Sequence, residues 1–268
     1  MTGARRKALA RLVLLVGVVL FWVVQLTLLR VVGMPLLDTL LLSVLLVLVP
    51  ALSIAQLPLI EDGLVDRLPA YWGSIVTLWL LGAGCWLVGT RADGGAAVGL
   101  VAIRPGALVT WATVLTVAAL GVILLFRRIA RWTGVHDAPL LRQLLPRTAH
   151  ERRVFGLLSV AAGFGEELAY RGYAIGVLAP ITGGTGAAVL TSVVFGVVHA
   201  YQGPLGILRT GLMGGVLAWG FLVSGSLWPA IIAHVSIDLI AGIFLGERLL
   251  SSEAPAEPRF DLDPGEIA

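Results

Sequence analysis

The sequence predicts an all-α, polytopic membrane protein, a bundle of about eight transmembrane helices. Composition is the first reason: of 268 residues, 58% are hydrophobic and only 13% are charged. A soluble domain carries about a quarter charged residues, so this chain lacks the polar side chains that would cover a water-facing surface. The second reason is that the apolar residues lie in runs long enough to cross a bilayer, which takes ~20 residues per helix.

The eight predicted helices follow the apolar runs in order. They lie near residues 12–33, 36–58, 70–90, 107–126, 154–178, 186–202, 205–223 and 227–246. The first run follows MTGARRKALAR, which has the charge layout of a signal peptide. Its apolar part is too long for a signal peptide, and no clear small-x-small cleavage site follows, so we expect it to be retained as a helix. The fifth run contains polar residues, and the sixth is short.

Basic residues predict the topology. One group precedes the first helix and the other lies between the fourth and fifth, namely Arg5, Arg6, Lys7 and Arg11, then Arg127, Arg128, Arg131, Arg142, Arg147, Arg152 and Arg153. The positive-inside rule places both groups in the cytoplasm, and the four crossings between them agree with that placement. We therefore expect an integral membrane protein with cytoplasmic N- and C-termini. The compact chain without sorting tails indicates a bacterial-type cell membrane.

The distribution of apolar and charged residues along the chain suggests four segments, and the net charge argues against a nucleic-acid partner. Residues 1–126 form N-terminal helices, 127–153 a basic cytoplasmic loop, 154–246 the helices with the candidate site, and 247–268 an acidic tail predicted to be disordered. The net charge of +3 is small, so no nucleic-acid partner is expected. The single cysteine, Cys85, lies in an apolar run and is expected to be a packed thiol.

Ionisable side chains inside the hydrocarbon are the candidate functional residues. Each costs roughly 2.5–3.5 kcal/mol at a helix centre, so such residues are rare without a role. They lie at three places in the last helices: Glu166, Glu167 and Arg171 in GFGEELAYRGY, His199 in TSVVFGVVHAYQG, and His234 with Asp238 in AIIAHVSIDLIAG. Pairing between packed helices is the structural explanation, but six such residues are more than packing needs.

Helical spacing separates the two glutamates. Glu167 and Arg171 are four residues apart, share a face and can form a charge-assisted pair. Glu166 points about 100° away, so Arg171 can neutralise Glu167 and leave Glu166 free. A carboxylate in an apolar cavity accepts a proton more readily than one in water, which makes Glu166 a candidate base. His234 and Asp238 are also four apart and share one face.

These residues can hydrolyse an amide in two ways. The reaction needs a water, a base, a proton donor and a positive group for the oxyanion, and Glu166 with two imidazoles supplies that minimum. Glu166, His199 and His234 are also a possible ligand set for a divalent metal such as zinc, with water as the fourth ligand. The HExxH helix of common zinc proteases is absent. The residues leave both alternatives open.

Three short motifs carry a family resemblance. EELAYR fits Glu-Glu-x-x-x-Arg, FGVVH fits Phe-x-x-x-His and HVSID fits His-x-x-x-Asn/Asp, in that order on successive late helices. In this order, and at membrane depth, they resemble the CAAX-protease and bacteriocin-processing (abortive-infection) family of intramembrane endopeptidases. That family contains the type II CAAX prenyl endopeptidase. The resemblance covers about residues 150–246, whereas the first four helices add only compatible hydropathy.

The resemblance implies a role for each matched residue. Glu166 would activate the attacking water, and His199 would orient that water or bind a metal. Glu167 would position His199 or pair with Arg171. His234 would stabilise the oxyanion of the tetrahedral intermediate or complete the polar site.

Asp238 would share the role of His234 but departs from the family pattern. Prenyl-processing members typically carry Asn at this place, and an ionised Asp would repel an oxyanion. Asp238 therefore stays protonated, orients His234 or has a different role. This departure weakens the inference that the substrate is a prenylated peptide.

The predicted function is that of an intramembrane endopeptidase, which hydrolyses a peptide bond of a membrane-associated protein or peptide. Two other classes fit some of the residues. A proton- or ion-coupled transporter also uses chains of Glu, Asp and His, although here these residues are confined to the C-terminal half. A non-catalytic immunity or scaffold protein could retain the same fold.

Three other features outside the motifs lead to expectations. Arg209 is expected to extend its side chain to the lipid headgroups. Asp38, beside the first outside turn, is expected at the membrane interface. Gly211 and Gly215, in GLMGGVLAWG, suit close helix packing.

Overall fold

The computed structural model describes residues 3–59, 65–91, 94–135, 137–244 and 246. The predicted acidic tail, 247–268, lies outside these residues. Every regular element of the described chain is helical. Six helices are long and apolar enough to cross a membrane, and a shorter apolar helix covers Trp228–Ile243. The prediction of an all-α, polytopic membrane bundle is confirmed.

Ten α-helices form the bundle of described residues. They are α1 Gly3–Leu26, α2 Leu36–Ser43, α3 Val49–Gln56, α4 Arg67–Gly89, α5 Pro105–Thr133, α6 Pro139–Gln143, α7 Ala149–Glu166, α8 Gly176–Val198, α9 Pro204–Ser224 and α10 Trp228–Leu239. Four π-helical segments extend or join them: Thr27–Val31, Val44–Leu48, Glu167–Ile175 and Ile240–Phe244. Short 3₁₀ turns cover Leu57–Leu59, Gly94–Val98 and Ala200–Gln202.

The fifth and sixth predicted helices belong to one helical stretch of 50 residues, Ala149–Val198. Its start is set by a capping box, in which Thr148 Oγ1 accepts from Glu151 N and a Glu151 carboxylate oxygen accepts from Thr148 N. The stretch bends inside α8 at Gly183, whose φ of 74° is positive, a conformation that glycine adopts without the strain other residues would meet. Pro180, three residues earlier, removes one backbone donor and favours the break. The chain therefore turns between the two predicted runs.

Glycines set the closest helix contacts around the site. A Cβ on Gly82 of α4 would lie 2.9 Å from the Cα of Gly165 in α7, so these helices touch through their backbones. A Cβ on Gly196 of α8 would lie 3.1 Å from the Cα of Gly211 in α9. The close packing predicted for Gly211 is confirmed. Small residues permit such contacts between membrane helices, and here they bring α7, α8 and α9 around one buried segment.

Candidate active site

The π-helical segment Glu167–Ile175 forms the centre of the site. All nine of its residues are buried, although they include a glutamate and an arginine. Segments of π-helix are rare in proteins and occur often at functional sites. This one follows directly after Glu166, the last residue of α7. The two carboxylates of GFGEELAYRGY therefore lie where the helix changes from α to π geometry.

Glu167 is held by two donors. Its Oε1 accepts a hydrogen bond from Arg171 Nη1 at 2.8 Å and another from His234 Nδ1 at 2.7 Å. The side chains of Glu167 and Arg171 are both fully buried. A buried carboxylate is stable when charged partners and hydrogen bonds compensate its lost hydration. Glu167 thus joins the π segment to α10, and it contacts His234 rather than His199.

Glu166 has no such partner. No described residue donates a hydrogen bond to its carboxylate, and the nearest nitrogen of a basic side chain is His234 Nε2, 3.6 Å from Glu166 Oε2. Its side chain is 14% exposed, compared with 0% for Glu167. Adjacent in sequence, the two glutamates therefore differ in environment. Glu166 retains free acceptor positions for a water molecule.

His234 lies among three carboxylates. Nδ1 donates to Glu167, while Nε2 lies 3.6 Å from Glu166 Oε2 and 3.8 Å from Asp238 Oδ2. Nδ1 carries a proton, because the Glu167 carboxylate only accepts, while Nε2 faces two further carboxylates. Asp238 lies too far from His234 for a direct hydrogen bond, and its side chain is 33% exposed. It acts on His234 through charge and is the most open carboxylate of this cluster.

His199 approaches the cluster from α8 without joining it. Its Nδ1 lies 2.8 Å from the carbonyl oxygen of Phe195; because a carbonyl only accepts, Nδ1 is the donor and Nε2 remains an acceptor in the neutral ring. The His199 ring lies 4.7 Å from the Phe195 ring, centroid to centroid. It makes no ion pair with Glu166 or Asp238 within the described part of the chain.

The predicted metal-ligand set is therefore not assembled. Among the described residues, no three His, Cys, Asp or Glu side chains are grouped so that they could hold a metal ion. His199 Nδ1 donates to the backbone carbonyl of Phe195 and His234 Nδ1 donates to Glu167, which orients both rings. Glu166, His199 and His234 are thus not grouped as a metal site among the described residues, although Nε2 of both histidines is left without a hydrogen bond.

Phe195 is the site residue that sequence reasoning missed. The guanidinium carbon of Arg171 lies 4.3 Å from its ring centroid, and the His234 ring lies 6.2 Å away in an edge-on arrangement. A cation over an aromatic face is attracted by the ring quadrupole. Phe195 thus contacts His199, Arg171 and His234. It is the first residue of the Phe-x-x-x-His motif, so the motif contained the signal.

Gly214 makes room for Arg171. A Cβ at this position would lie 2.7 Å from Arg171 Nη2 and 3.1 Å from Phe195 Cδ1. The Arg171 Nε and Nη2 atoms are buried and lack a hydrogen-bond partner among the described residues. The guanidinium is therefore positioned by Glu167, by the Phe195 ring and by the missing side chain of Gly214.

Gly214→Ala is expected to lower turnover by about 10- to 100-fold. The added methyl displaces Arg171 or Phe195, and a shift of about 1 Å in a supporting group can cost ~10² in rate. The matched control is Gly215→Ala, whose Cβ would meet only Ser192 Oγ at 3.9 Å. Initial rates of both variants against the wild type test this. Equal activity of the two variants would show that Arg171 does not depend on Gly214.

Asp38, which the sequence placed beside the first outside turn, is buried and paired. It is 4% exposed, and Arg91 donates to both of its carboxylate oxygens. The hydroxyl of Tyr173, in the π segment, donates to Asp38 Oδ1 at 2.9 Å. The end of the π segment opposite Glu166 is therefore fixed to α2. The pairing of Asp38 with Arg91 depends on how the helices pack, because the two residues are far apart in the sequence. Sequence spacing therefore could not predict it.

Comparison with known proteins agrees with the motif-based resemblance. Residues 150–240 match the model of the family described as type II CAAX prenyl endopeptidase Rce1-like. The resemblance inferred from the three motifs is confirmed over this region, which contains all six candidate site residues. Neither the search of curated proteins nor the search of solved structures finds a match.

Proposed function

We propose that this protein is an intramembrane endopeptidase in which Glu166 activates water for attack on a peptide bond of a membrane-associated protein or peptide. One observation carries the proposal. Glu167 accepts hydrogen bonds from both Arg171 and His234, while the neighbouring Glu166 accepts none from the described residues. The pairing leaves one carboxylate free beside one cationic imidazole, which is the combination that a base and an oxyanion donor require.

The steps follow from these positions. Glu166 accepts a proton from water while the water oxygen bonds to the carbonyl carbon of the substrate. The resulting oxyanion is stabilised by the Nε2–H of His234, whose opposite nitrogen is held by Glu167. When the carbon–nitrogen bond breaks, Glu166 returns its proton to the leaving nitrogen. The free Nε2 acceptor of His199 orients the water or the substrate amide.

The proposed topology places the termini and residues 127–153 in the cytoplasm, following the basic residues. The description of the matching family names a prenyl endopeptidase, so a prenylated peptide is one candidate substrate class. A second candidate class is unmodified membrane-anchored peptides, because Asp238 stands where a prenyl-processing protein would be expected to carry Asn. We therefore propose a peptide substrate and leave its lipid modification to be measured.

Peptide hydrolysis is tested with the wild-type protein reconstituted in lipid vesicles. Fluorogenic membrane-anchored peptides, with and without a prenyl group, are incubated in water enriched in ¹⁸O. Mass spectrometry should find one ¹⁸O atom in the new carboxylate, and a chelator should leave the rate unchanged. Loss of activity with the chelator, restored by a divalent metal, would contradict the metal-independent mechanism. No cleavage of any peptide in the library would favour the non-catalytic alternative.

Asp238→Asn is expected to raise the turnover number by about two- to tenfold, a change of up to ~1.4 kcal/mol in the barrier. The substitution removes a negative charge 3.8 Å from the nitrogen assigned to the oxyanion, and an amide can donate where a carboxylate cannot. Glu166 and Glu167 still face the His234 ring in this variant and keep negative charge beside it. Asp238→Ala is the control, because it removes the charge without adding a donor. A fall of more than about tenfold in Asp238→Asn would instead assign the carboxylate an essential role.

A further inference from the structure

The turn formed by residues 199–202, hereafter the His199 turn, is held from several sides. It follows α8 and contains the 3₁₀ segment Ala200–Gln202. Just before it, the carbonyl oxygen of Val198 accepts a hydrogen bond from Ser53 of α3 at 2.5 Å. Within it, the Tyr201 ring lies 5.7 Å from the His199 ring. The position of His199 therefore depends on how this turn is anchored.

Gln202 is the main anchor of the His199 turn. Its Oε1 accepts hydrogen bonds from Arg209 Nη2 at 2.9 Å and from Thr210 Oγ1 at 3.2 Å. Its main-chain oxygen accepts from Ala138 N at 3.1 Å. The next residue, Gly203, has a φ of 88°, and a Cβ there would lie 3.3 Å from Ala138 N. Residues 137–138 and the start of α9 thus pack directly on the turn.

An ion pair completes this anchor. Arg209 Nη1 donates to Asp137 Oδ1 at 2.9 Å, and the two side chains are only 13% and 6% exposed. The expectation that Arg209 extends to lipid headgroups was therefore wrong. The planar guanidinium binds Asp137 with one nitrogen and Gln202 with another, a fork that lysine cannot reproduce. Asp137 precedes Ala138, so the pair holds both contacts to Gln202 in place.

We propose that Asp137 and Arg209 are positioning residues for His199. This inference rests on the proposed function, because it assigns them an effect on turnover through the imidazole. Loss of the guanidinium would leave Asp137 buried without its cation and Gln202 without its strongest donor. The His199 turn would then relax, and the hydrogen bond from His199 Nδ1 to Phe195 would no longer fix the ring. Neither residue touches the cluster around Glu166, so both act through the turn.

The test compares five variants with the wild type. Arg209→Gln and Asp137→Asn each remove one charge, and the exchange variant Asp137→Arg/Arg209→Asp restores a pair in reverse. Arg209→Lys keeps the charge but lacks the fork. Arg128→Gln is the matched control, because it neutralises an exposed arginine of the neighbouring α5. Folding is checked by the protection of Cys85, the single and fully buried cysteine, from a thiol reagent.

Two readouts separate positioning from stability. The first is the ¹⁵N spectrum of the histidine rings, with the His199 signal assigned by its loss in His199→Gln. The second is steady-state cleavage of the best peptide substrate. In Arg209→Gln and Asp137→Asn we expect the His199 signal to lose its Nδ1–H tautomer signature. We also expect a fall in the turnover number of about 10- to 100-fold with little change in KM. The exchange variant should recover part of the His199 signal and part of the turnover number. Arg209→Lys should give values between those of Arg209→Gln and the wild type, and Arg128→Gln should match the wild type.

The outcomes remain distinct from those of the proposed function. A folded Arg209→Gln with an unchanged His199 signal and turnover number would overturn the positioning role. So would an unchanged His199 signal combined with a fall in turnover, because the loss would then not act through the imidazole. If Cys85 reacts with the thiol reagent in the exchange variant, that variant is misfolded. The positioning role is then decided by Arg209→Gln, Asp137→Asn and Arg209→Lys. If the wild type cleaves no peptide, the proposed function fails while the ¹⁵N spectra still test whether the pair holds His199.

Discussion

Glu166→Gln is expected to lower the turnover number by about 10³-fold, because removal of a general base costs typically 10²–10⁴ in rate. The glutamine side chain has nearly the same shape, so the packing of α7 against α4 is preserved. Its amide oxygen still accepts a hydrogen bond from water but cannot take up a proton. KM should stay within a few-fold of the wild-type value, because the loss arises in the transition state.

The measurement is the initial rate of cleavage of membrane-anchored fluorogenic peptides by the purified protein. Asp66→Asn is the matched control, because Asp66 is an exposed carboxylate outside the site. Turnover that survives in Glu166→Gln would contradict the activation of water by Glu166, even if the protein is an endopeptidase. Equal losses in both variants would indicate a general effect of charge or expression.

Arg171→Gln is expected to destabilise the fold by about 3–5 kcal/mol, because removal of one partner from a buried ion pair leaves an uncompensated charge. Arg171 and Glu167 are fully buried, and their bond of 2.8 Å links consecutive turns of the π segment. His234 remains as a second partner of Glu167, so the loss should fall short of complete unfolding. The glutamine also forfeits the contact between the guanidinium and the Phe195 ring.

Reaction of Cys85 with a thiol-specific fluorophore during heating in detergent reports the unfolding temperature. The double variant Glu167→Gln/Arg171→Gln should be more stable than Arg171→Gln alone, because it removes the stranded carboxylate as well. An unfolding temperature of Arg171→Gln equal to that of the wild type would contradict a structural role for the pair. If the double variant were less stable than Arg171→Gln, Glu167 would be needed mainly for His234.

The membrane character and the candidate residues were predictable from sequence because both depend on local properties. Runs of apolar residues and the scarcity of charge determine that helices cross a bilayer. Ionisable residues within such runs are costly enough to be conspicuous, which singled out Glu166, Glu167, Arg171, His199, His234 and Asp238. Spacing of four residues also determines neighbours on one helix, and the contact between Glu167 and Arg171 follows that rule.

The tertiary structure alone decided how these residues combine, because contacts between helices depend on packing rather than spacing. Only the approach of α10 to the π segment shows that Glu167 holds His234 and leaves Glu166 free. The orientation of His199, whose Nδ1 donates to the backbone carbonyl of Phe195, depends on how α8 ends. Asp38 and Arg209 looked interfacial in the sequence, yet both are buried in ion pairs with residues 53 and 72 positions away. A single sequence marks a charged residue as costly within the membrane, but its partner is set by the packed fold.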